Sequence, residues 1–278
     1  MRRPPLSVAL AGGVMALVVL VAALGNVFTP FSVNDQALTT RLAAPAFLGG
    51  PEAYPLGTDR IGRDMVARLV AGLRVSLSVA LAGTLIGAVV GTLVGFVAAH
   101  FRGLTEEALM MLVDLQASLP FILIALTLLA FFGNSVALFV ILMGLFGWET
   151  YARLARGVVL SAAAQPYARA AVALGAGPLR LYGRHVLPNV ASALIVQLTL
   201  TFPQIILLET SLSFLGLGIQ PPLTSLGQIL GDGRDYLSTA WWISVWPGAL
   251  IFTITLAMSV LGDALRDRLD PMLKTRTT

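Results

Sequence analysis

PYARAAVALGAGPLRLYGRHVLPN, residues 166–189, is a polar, arginine-bearing island between long apolar runs. Tyr167, Ala171 and Leu174 recur at i, i+4 and i+7, so a short helix opening at Pro166 shows one narrow apolar face. Gly175 and Gly177 followed by Pro178 stop that helix, LRLYGRHVL resumes one, and Pro188 is expected to break it again. The predicted form is helix, sharp bend, helix. Its alanines let another protein approach the backbone closely, and Arg169, Arg180 and Arg184 keep the segment out of lipid. An ordinary cytoplasmic loop between two membrane helices has the same outline, so the flanks must decide.

Outward from the island the chain is apolar: 57% of its 278 residues are hydrophobic, 12% are charged, and the mean hydropathy is +0.86. This is not the composition of a soluble domain. At ~20 apolar residues per span, the length holds about six spans with loops. No run alternates as a barrel strand does, so each span must satisfy its own backbone. The expected class is an all-α integral membrane protein with six transmembrane helices. A net charge of +4 and a pI near 10 fit arginines at span ends better than a nucleic-acid partner. The absence of cysteine excludes disulfides, thiolate metal sites and cysteine nucleophiles. The sole lysine, Lys274, lacks the glycine-rich turn of a phosphate-binding loop. The chain is therefore not its own ATPase, and any nucleotide site lies on another chain.

Taken in order, residues 6–24 are apolar for longer than the ~7–15 residues of a signal peptide. They read as a retained span with Arg2 and Arg3 inside the cell. The charged stretch 54–78 reads as an amphipathic helix at the interface. Residues 76–99 form the second span, where Gly83, Gly87, Gly91 and Gly95 recur every four residues and predict close helix packing. A third span reaches to about residue 132, kinked at Pro120. The fourth covers 135–151, with Trp148 and Tyr151 in an interfacial belt and Glu149–Arg153 as an i, i+4 surface pair. The fifth covers 190–215; the sixth covers 247–261, behind an interface marked by Trp241, Trp242 and Trp246. Residues 1–72 thus form an N-terminal span with an external segment, and 73–278 a five-helix core. With both termini cytoplasmic, most of the basic residues and the island itself fall inside.

Several motifs carry a resemblance. The spacing Ala170-Ala171, Gly175 and Leu187-Pro188 resembles the "EAA" loop by which ABC-importer permeases dock into a separate ATPase subunit. Arg169 stands in place of that motif's glutamate and His185 in place of an isoleucine, both as in the peptide/nickel branch. YPLGTDRIGRDMVARLVAGLRVSLS, residues 54–78, is similar to the branch's HPLGTD-x-x-GRD-x-x-SR signature, with Tyr54 for histidine and Ala67 for serine. Trp148, Ala152-Arg153 and Arg156 resemble its W-x-x-x-AR-x-x-R. ETSLSFLGLGIQPPLTSLGQIL, residues 209–230, resembles the E-x-x-LSFLGLG-x-x-PP-x-x-SWG of the C-type subunit, with Leu226 for tryptophan. GDALRDRLDP, residues 262–271, resembles the family terminus, while Ser259 and Val260 depart from its Asn-Leu.

The resemblance covers residues 54–271 and implies a type I ABC-importer permease fold in a bacterial or archaeal inner membrane. It implies a B-type sister permease, two ATPase subunits and an external substrate-binding protein as partners. ATP and magnesium would bind the ATPases, leaving no cofactor, metal or catalytic residue on this chain, which is no enzyme. The cargo implied is di- or oligopeptides, with nickel chelates and other small solutes open. Coupling would fall to loop 162–188, through Tyr167, Arg169, Ala170, Ala171, Leu174, Gly175, Arg180, His185, Leu187 and Pro188. Independently of any family, Asp114 and Glu209 are carboxylates inside spans, where a group faces either a cavity or a partner, and both are candidates for the substrate pathway. A proton-coupled secondary transporter would use such groups too, although the chain shows no internal repeat. A non-transporting scaffold is the other alternative.

Overall fold

The computed structural model describes residues 5–269, which are helical, with no strand among them beyond an isolated bridge between Thr58 and Asp64. Arg2, Arg3, Lys274, Arg276 and the Asp270-Pro271 end of the last motif lie outside the described residues. Five helical stretches are long and apolar enough to cross a membrane. They are α1 (Leu6–Phe28), α2 (Met65–Phe101), the pair α5 (Val136–Leu145) and α6 (Trp148–Ala163), the pair α8 (Pro178–Arg180) and α9 (Leu187–Phe214), and α11 (Trp242–Leu269). The remaining expected span is a broken pair, α3 (Gly103–Ser118) and α4 (Phe121–Phe132), bent by 86°. Two short helices, α7 (Pro166–Ala173) and α10 (Leu226–Asp232), lie near opposite ends of α2.

The axis of the bundle is α2, at 1.5 Å per residue a rod of about 55 Å. Gly83, Gly87, Gly91 and Gly95 are buried against α5 and α6. A Cβ on Gly87 would stand 3.0 Å from the Gly144 carbonyl, and Cβ atoms on Gly91 and Gly95 would overlap the carbonyls of Trp148 and Ala152. In lipid no hydrophobic drive joins helices, so this closeness of backbones is what holds α2 to α6. Trp148 and Tyr151 are buried in that contact instead of lying in an interfacial belt, because α6 continues to Ala163 and leaves them midway along the span.

The prolines behave differently from expectation in two places. Ahead of Pro120, Leu119 is extended (φ −101°, ψ 136°), since a residue preceding proline is kept out of the helical region. The result is a break rather than a kink, and Pro120 becomes the residue capping α4. Pro188, by contrast, breaks nothing. The turn Leu181–Val186 is π-helical, and the Leu187 N–H bonds back to the Tyr182 carbonyl, five residues earlier. This wider turn relieves the conflict between the proline ring and the preceding carbonyl, and Pro188 sits in the first turn of α9. Pro178 to Phe214 is therefore one continuous rod, also about 55 Å long.

The charged stretch 54–78 is not an interface helix. Residues 54–63 are irregular, and α2 starts at Met65, where the Asp64 carboxylate accepts the Ala67 N–H at 2.8 Å. From there α2 crosses residues 72 and 73 without interruption. Met65, Leu69 and Leu73 are buried with Leu212, Leu226, Ile229, Trp242 and Ile243, because α10 and α11 cover the first turns of α2. Trp242 is itself buried and donates its indole N–H to the Thr58 carbonyl at 3.0 Å. α1 lies on the outside of α2 and α11, where Arg74 Nε donates to the Ala22 carbonyl at 2.8 Å.

Candidate functional site

At the α7 end, Pro166 opens α7 as the first helical residue, where its missing N–H costs nothing. The helix stops at Gly175, whose φ of +82° is open to glycine. The Gly175 N–H bonds the Val172 carbonyl at 2.9 Å and the Ala176 N–H bonds that of Ala171 at 3.0 Å, a Schellman ending. Gly177 and Pro178 then start the long rod. Helix, sharp bend, helix is what forms.

Ala168 and Ala171 face inward, whereas Tyr167 and Leu174, placed on the same apolar stripe by spacing, are exposed. Leu174 is 89% and Leu179 93% exposed, with Val172 exposed beside them. Arg169, Arg180 and Arg184 are exposed and make no ion pair among the described residues. Ala171, Leu174, Ala176, Arg180 and His185 line one cleft of about 240 Å³. Leu187 and Pro188 are exposed on the rod just beyond it, and Ala170 is exposed on α7. The knob is held to α2 from behind: Tyr182 packs edge-on against Phe96, and its hydroxyl lies 3.1 Å from His100 Nδ1. The knob thus presents apolar tips ringed by arginines that make no ion pair among the described residues.

The α10 end carries a polar lattice that sequence reading did not find. Asp59 is fully buried and accepts Arg63 Nε at 2.6 Å, Arg68 Nη1 at 2.8 Å, and the N–H groups of Ile61 and Arg63, both at 2.9 Å. Arg68, 1% exposed, extends its other nitrogen to Asp232 at 3.0 Å. Burial raises the Asp59 pKa, but the Arg68 charge and the hydrogen bonds from Arg63 and Ile61 outweigh it, holding the carboxyl below its ordinary range. Asp64 has no such cation, and burial pushes its carboxyl up. One layer deeper, Glu209 is fully buried; Ser76 donates to its Oε2 at 3.0 Å and Ser213 to its Oε1 at 2.7 Å. The motif at residues 54–78 and the motif at 209–230 are thus two halves of one construction. The available signal was the density of arginine and aspartate in otherwise apolar surroundings.

Asp114 is 71% exposed and pairs with Arg153, 45% exposed, at 3.1 Å. This replaces the expected Glu149–Arg153 pair. α3 lies close enough along α6 to offer Arg153 a carboxylate, Arg156 pairs with Glu106 in the same seam, and Glu149 Oε2 is buried without a partner. Trp148 Nε1 donates to Gln116 Oε1 at 2.6 Å, completing the polar contacts between α3 and α6. Among the described residues no cluster of histidine and carboxylates could hold a metal.

The described residues thus form a helical bundle of membrane-spanning length with an exposed apolar knob at the end of one long rod. Residues 91–275 match the family described as the binding-protein-dependent transport system inner membrane component, and the chain belongs to that family. It is 38% identical to the di/tripeptide transport system permease protein DppC of Pseudomonas aeruginosa (strain UCBPP-PA14), over 94% of this chain and 86% of that one. It is 37% identical to the dipeptide permease DppC of Escherichia coli (strain K12), over 94% and 87%. To the oligopeptide permease OppC of the same strain it is 34% identical, over 93% and 84%. Among solved structures, the inward-facing MetNI methionine ABC transporter aligns with a TM-score of 0.57 at 20% identity, over 74% of this chain and 98% of that one. An amino acid ABC transporter aligns at 0.53 and 16% identity, over 72% and 93%. At these identities the solved structures speak for the fold alone. The chain is a multi-pass inner-membrane permease subunit of a binding-protein-dependent importer.

Proposed function

We propose that this permease forms half of the channel of an ATP-driven importer of di- or oligopeptides. A B-type sister permease would supply the other half, two ATPase subunits would bind ATP and magnesium, and an external binding protein would deliver the peptide. The α7 end and both termini face the cytoplasm, and the α10 end faces outward. Residues 1–72 serve as anchor and outer segment, 73–278 as the transporting core, and loop 162–188 as the docking element. The peptide cargo is supported by the names of the relatives above, which cover most of this chain.

The observation that carries this reading is the continuity of the knob with the rod. Leu174 and Leu179 stand out at the tip, and from Pro178 the helix runs to Phe214 without a break. ATPases that close on ATP and grip Tyr167, Arg169, Ala170, Ala171, Leu174, Arg180 and His185 would swing the rod at its Leu187-Pro188 root. ATP must favour the outward-facing arrangement for that swing to do work, since a ligand shifts only an equilibrium whose two states it binds unequally. Asp114 and Glu209 are the candidates for the substrate path, Asp114 exposed beside Arg153 and Glu209 buried among the serines it holds.

The test is reconstitution with the sister permease, the ATPases and the binding protein in liposomes. Dipeptide uptake that requires ATP and the binding protein is the expected result. Uptake by this chain alone in a pH gradient would make it a secondary transporter, and partner binding with no flux would make it a scaffold. The binding protein is expected to cross-link to residues 26–73 and 218–240; cross-links confined to loop 162–188 would overturn the orientation.

A further inference from the structure

Glu209 has no cation beside it: among the described residues no ion pair reaches it, and its bonds are to hydroxyl groups. Each hydroxyl has one hydrogen to give. Ser76 gives its hydrogen to Glu209 Oε2 at 3.0 Å, so its oxygen is turned to accept, and it accepts the Leu226 N–H at 3.1 Å. Ser213 gives its hydrogen to Glu209 Oε1 at 2.7 Å, which leaves its oxygen 3.4 Å from the Ser225 hydroxyl. Ser225 in turn accepts the Gln228 N–H at 3.2 Å. One carboxylate therefore sets the direction of the serines that hold two N–H groups in the first turn of α10, which a helix leaves unpaired at its start.

The three helices also touch at glycine. A Cβ on Gly72 of α2 would press on the Leu226 nitrogen and on Ile229 of α10, and a Cβ on Gly227 of α10 would stand 2.6 Å from the Thr210 Cα of α9. The second tie is ionic, Arg68 of α2 to Asp232 at the last turn of α10. The bonds this buried polar network does make stiffen the junction, while Arg68 Nε and Gln228 Oε1 are buried without a partner among the described residues. Glu209 lies near the far end of the rod that begins at the knob.

We propose that Glu209 is a positioning residue: by fixing Ser76, Ser213 and Ser225 it locks α10 and its flanking loop to α2 and α9, so that movement of the rod reaches the surface on which the binding protein sits. This rests on the function proposed above and names the part of that reading that joins its two ends. Loss of the carboxylate leaves the serine hydroxyls free to turn and α10 free to shift. A glutamine, which still offers an oxygen and can accept and donate to rotated serines, keeps the lock.

The chain has no cysteine, so two introduced ones are its only thiols and report alone once its partners are made cysteine-free. Spin labels at the exposed positions Leu223, beside α10, and Leu81, on α2, would be measured in the reconstituted complex. One narrow distance is expected in the parent and in Glu209→Gln, and a broad distribution in Glu209→Leu. In the same liposomes Glu209→Leu is expected to raise the half-saturating concentration of binding protein about tenfold and change the maximal ATPase rate less than threefold, with Glu209→Gln near the parent. Ser225→Ala, which leaves the carboxylate in place, is expected to broaden the distance as well and carries the test should Glu209→Leu fail to insert. A distance that stays narrow in both variants overturns the proposal. So does equal loss of uptake in Glu209→Gln and Glu209→Leu at an unchanged distance, which would make the carboxylate act by its charge on the substrate. If the parent complex shows no ATP-dependent uptake, the functional reading fails while the spin-label distances still decide the lock.

Discussion

The two ends of α2 are built on opposite principles. At the α7 end the chain exposes leucines and three arginines that make no ion pair among the described residues, and it keeps its shape with a Schellman turn and the contact of Tyr182 with α2. At the α10 end it encloses charges, gives Asp59 and Glu209 several donors each and packs glycines to backbone contact. The first end leaves its apolar tips uncovered, and the second joins three helices through its own side chains. A substitution at the first should therefore alter association and largely spare the fold, whereas one at the second should loosen the helix junction and reach association only through it.

The comparison breaks most sharply at Arg68. Arg68→Ala removes the buried cation that bridges Asp59 and Asp232, leaving Arg63 as the close partner of Asp59, and breaking a buried pair costs up to about 3–5 kcal/mol. A large fall in the detergent-solution melting temperature is expected, partly restored by adding Asp59→Asn. An unchanged melting temperature would mean the lattice is no structural tie.

Gly175→Trp comes next. The position is in open space but needs φ +82°, so any side chain strains the Schellman ending by about 1–2 kcal/mol. A tryptophan there would also stand in the path of a docking ATPase. Uptake should fall about tenfold or more while the protein still inserts and the ATPases still turn over; coupled uptake in this variant counts against a docking knob.

Leu179→Ser removes an apolar tip that touches little of its own chain. A change in stability within the roughly ±0.5 kcal/mol typical of surface positions is expected, read as a nearly unchanged melting temperature. ATPase subunits should nevertheless dissociate more readily in a pull-down. A destabilised permease with intact ATPase binding would reverse the contrast between the two ends.

The smallest effects are those of pH, and the two aspartates differ in sign. Asp59, held below its ordinary value, contributes stability that is complete above about pH 4 and is lost as pH falls through its folded pKa. Asp64, raised by burial, does the opposite: its charge is unfavourable at neutral pH, and acidification through its folded pKa relieves it. Asp64→Asn keeps a capping side chain at the start of α2 and should raise the melting temperature slightly at pH 7, with the gain vanishing toward pH 4. Asp59→Asn should lower it at pH 7, with the deficit shrinking below pH 4.

The knob was legible because its form is local. Pro166, Gly175, Gly177 and Pro178 act on their own backbone within a few residues, and the helix-bend-helix they predict is what forms. The glycine stripe of α2 was legible for the same reason, since a period of four lies on one helix whatever its neighbours are. Pro188 was misread because the π turn that absorbs it depends on six preceding residues with no strong turn signal. Glu149 was misread because an i, i+4 neighbour is visible in the sequence and Asp114 on another helix is not.

What the sequence determined by itself is the membrane class, the spans and the bend of the knob, all set by hydropathy and backbone chemistry acting within one helix. The partners of Glu209, Arg68 and Asp114 were decided only in three dimensions, by residues up to 164 positions away. A buried charge has to find its counterpart wherever packing brings one within hydrogen-bond reach, and that distance is a property of the assembled helices.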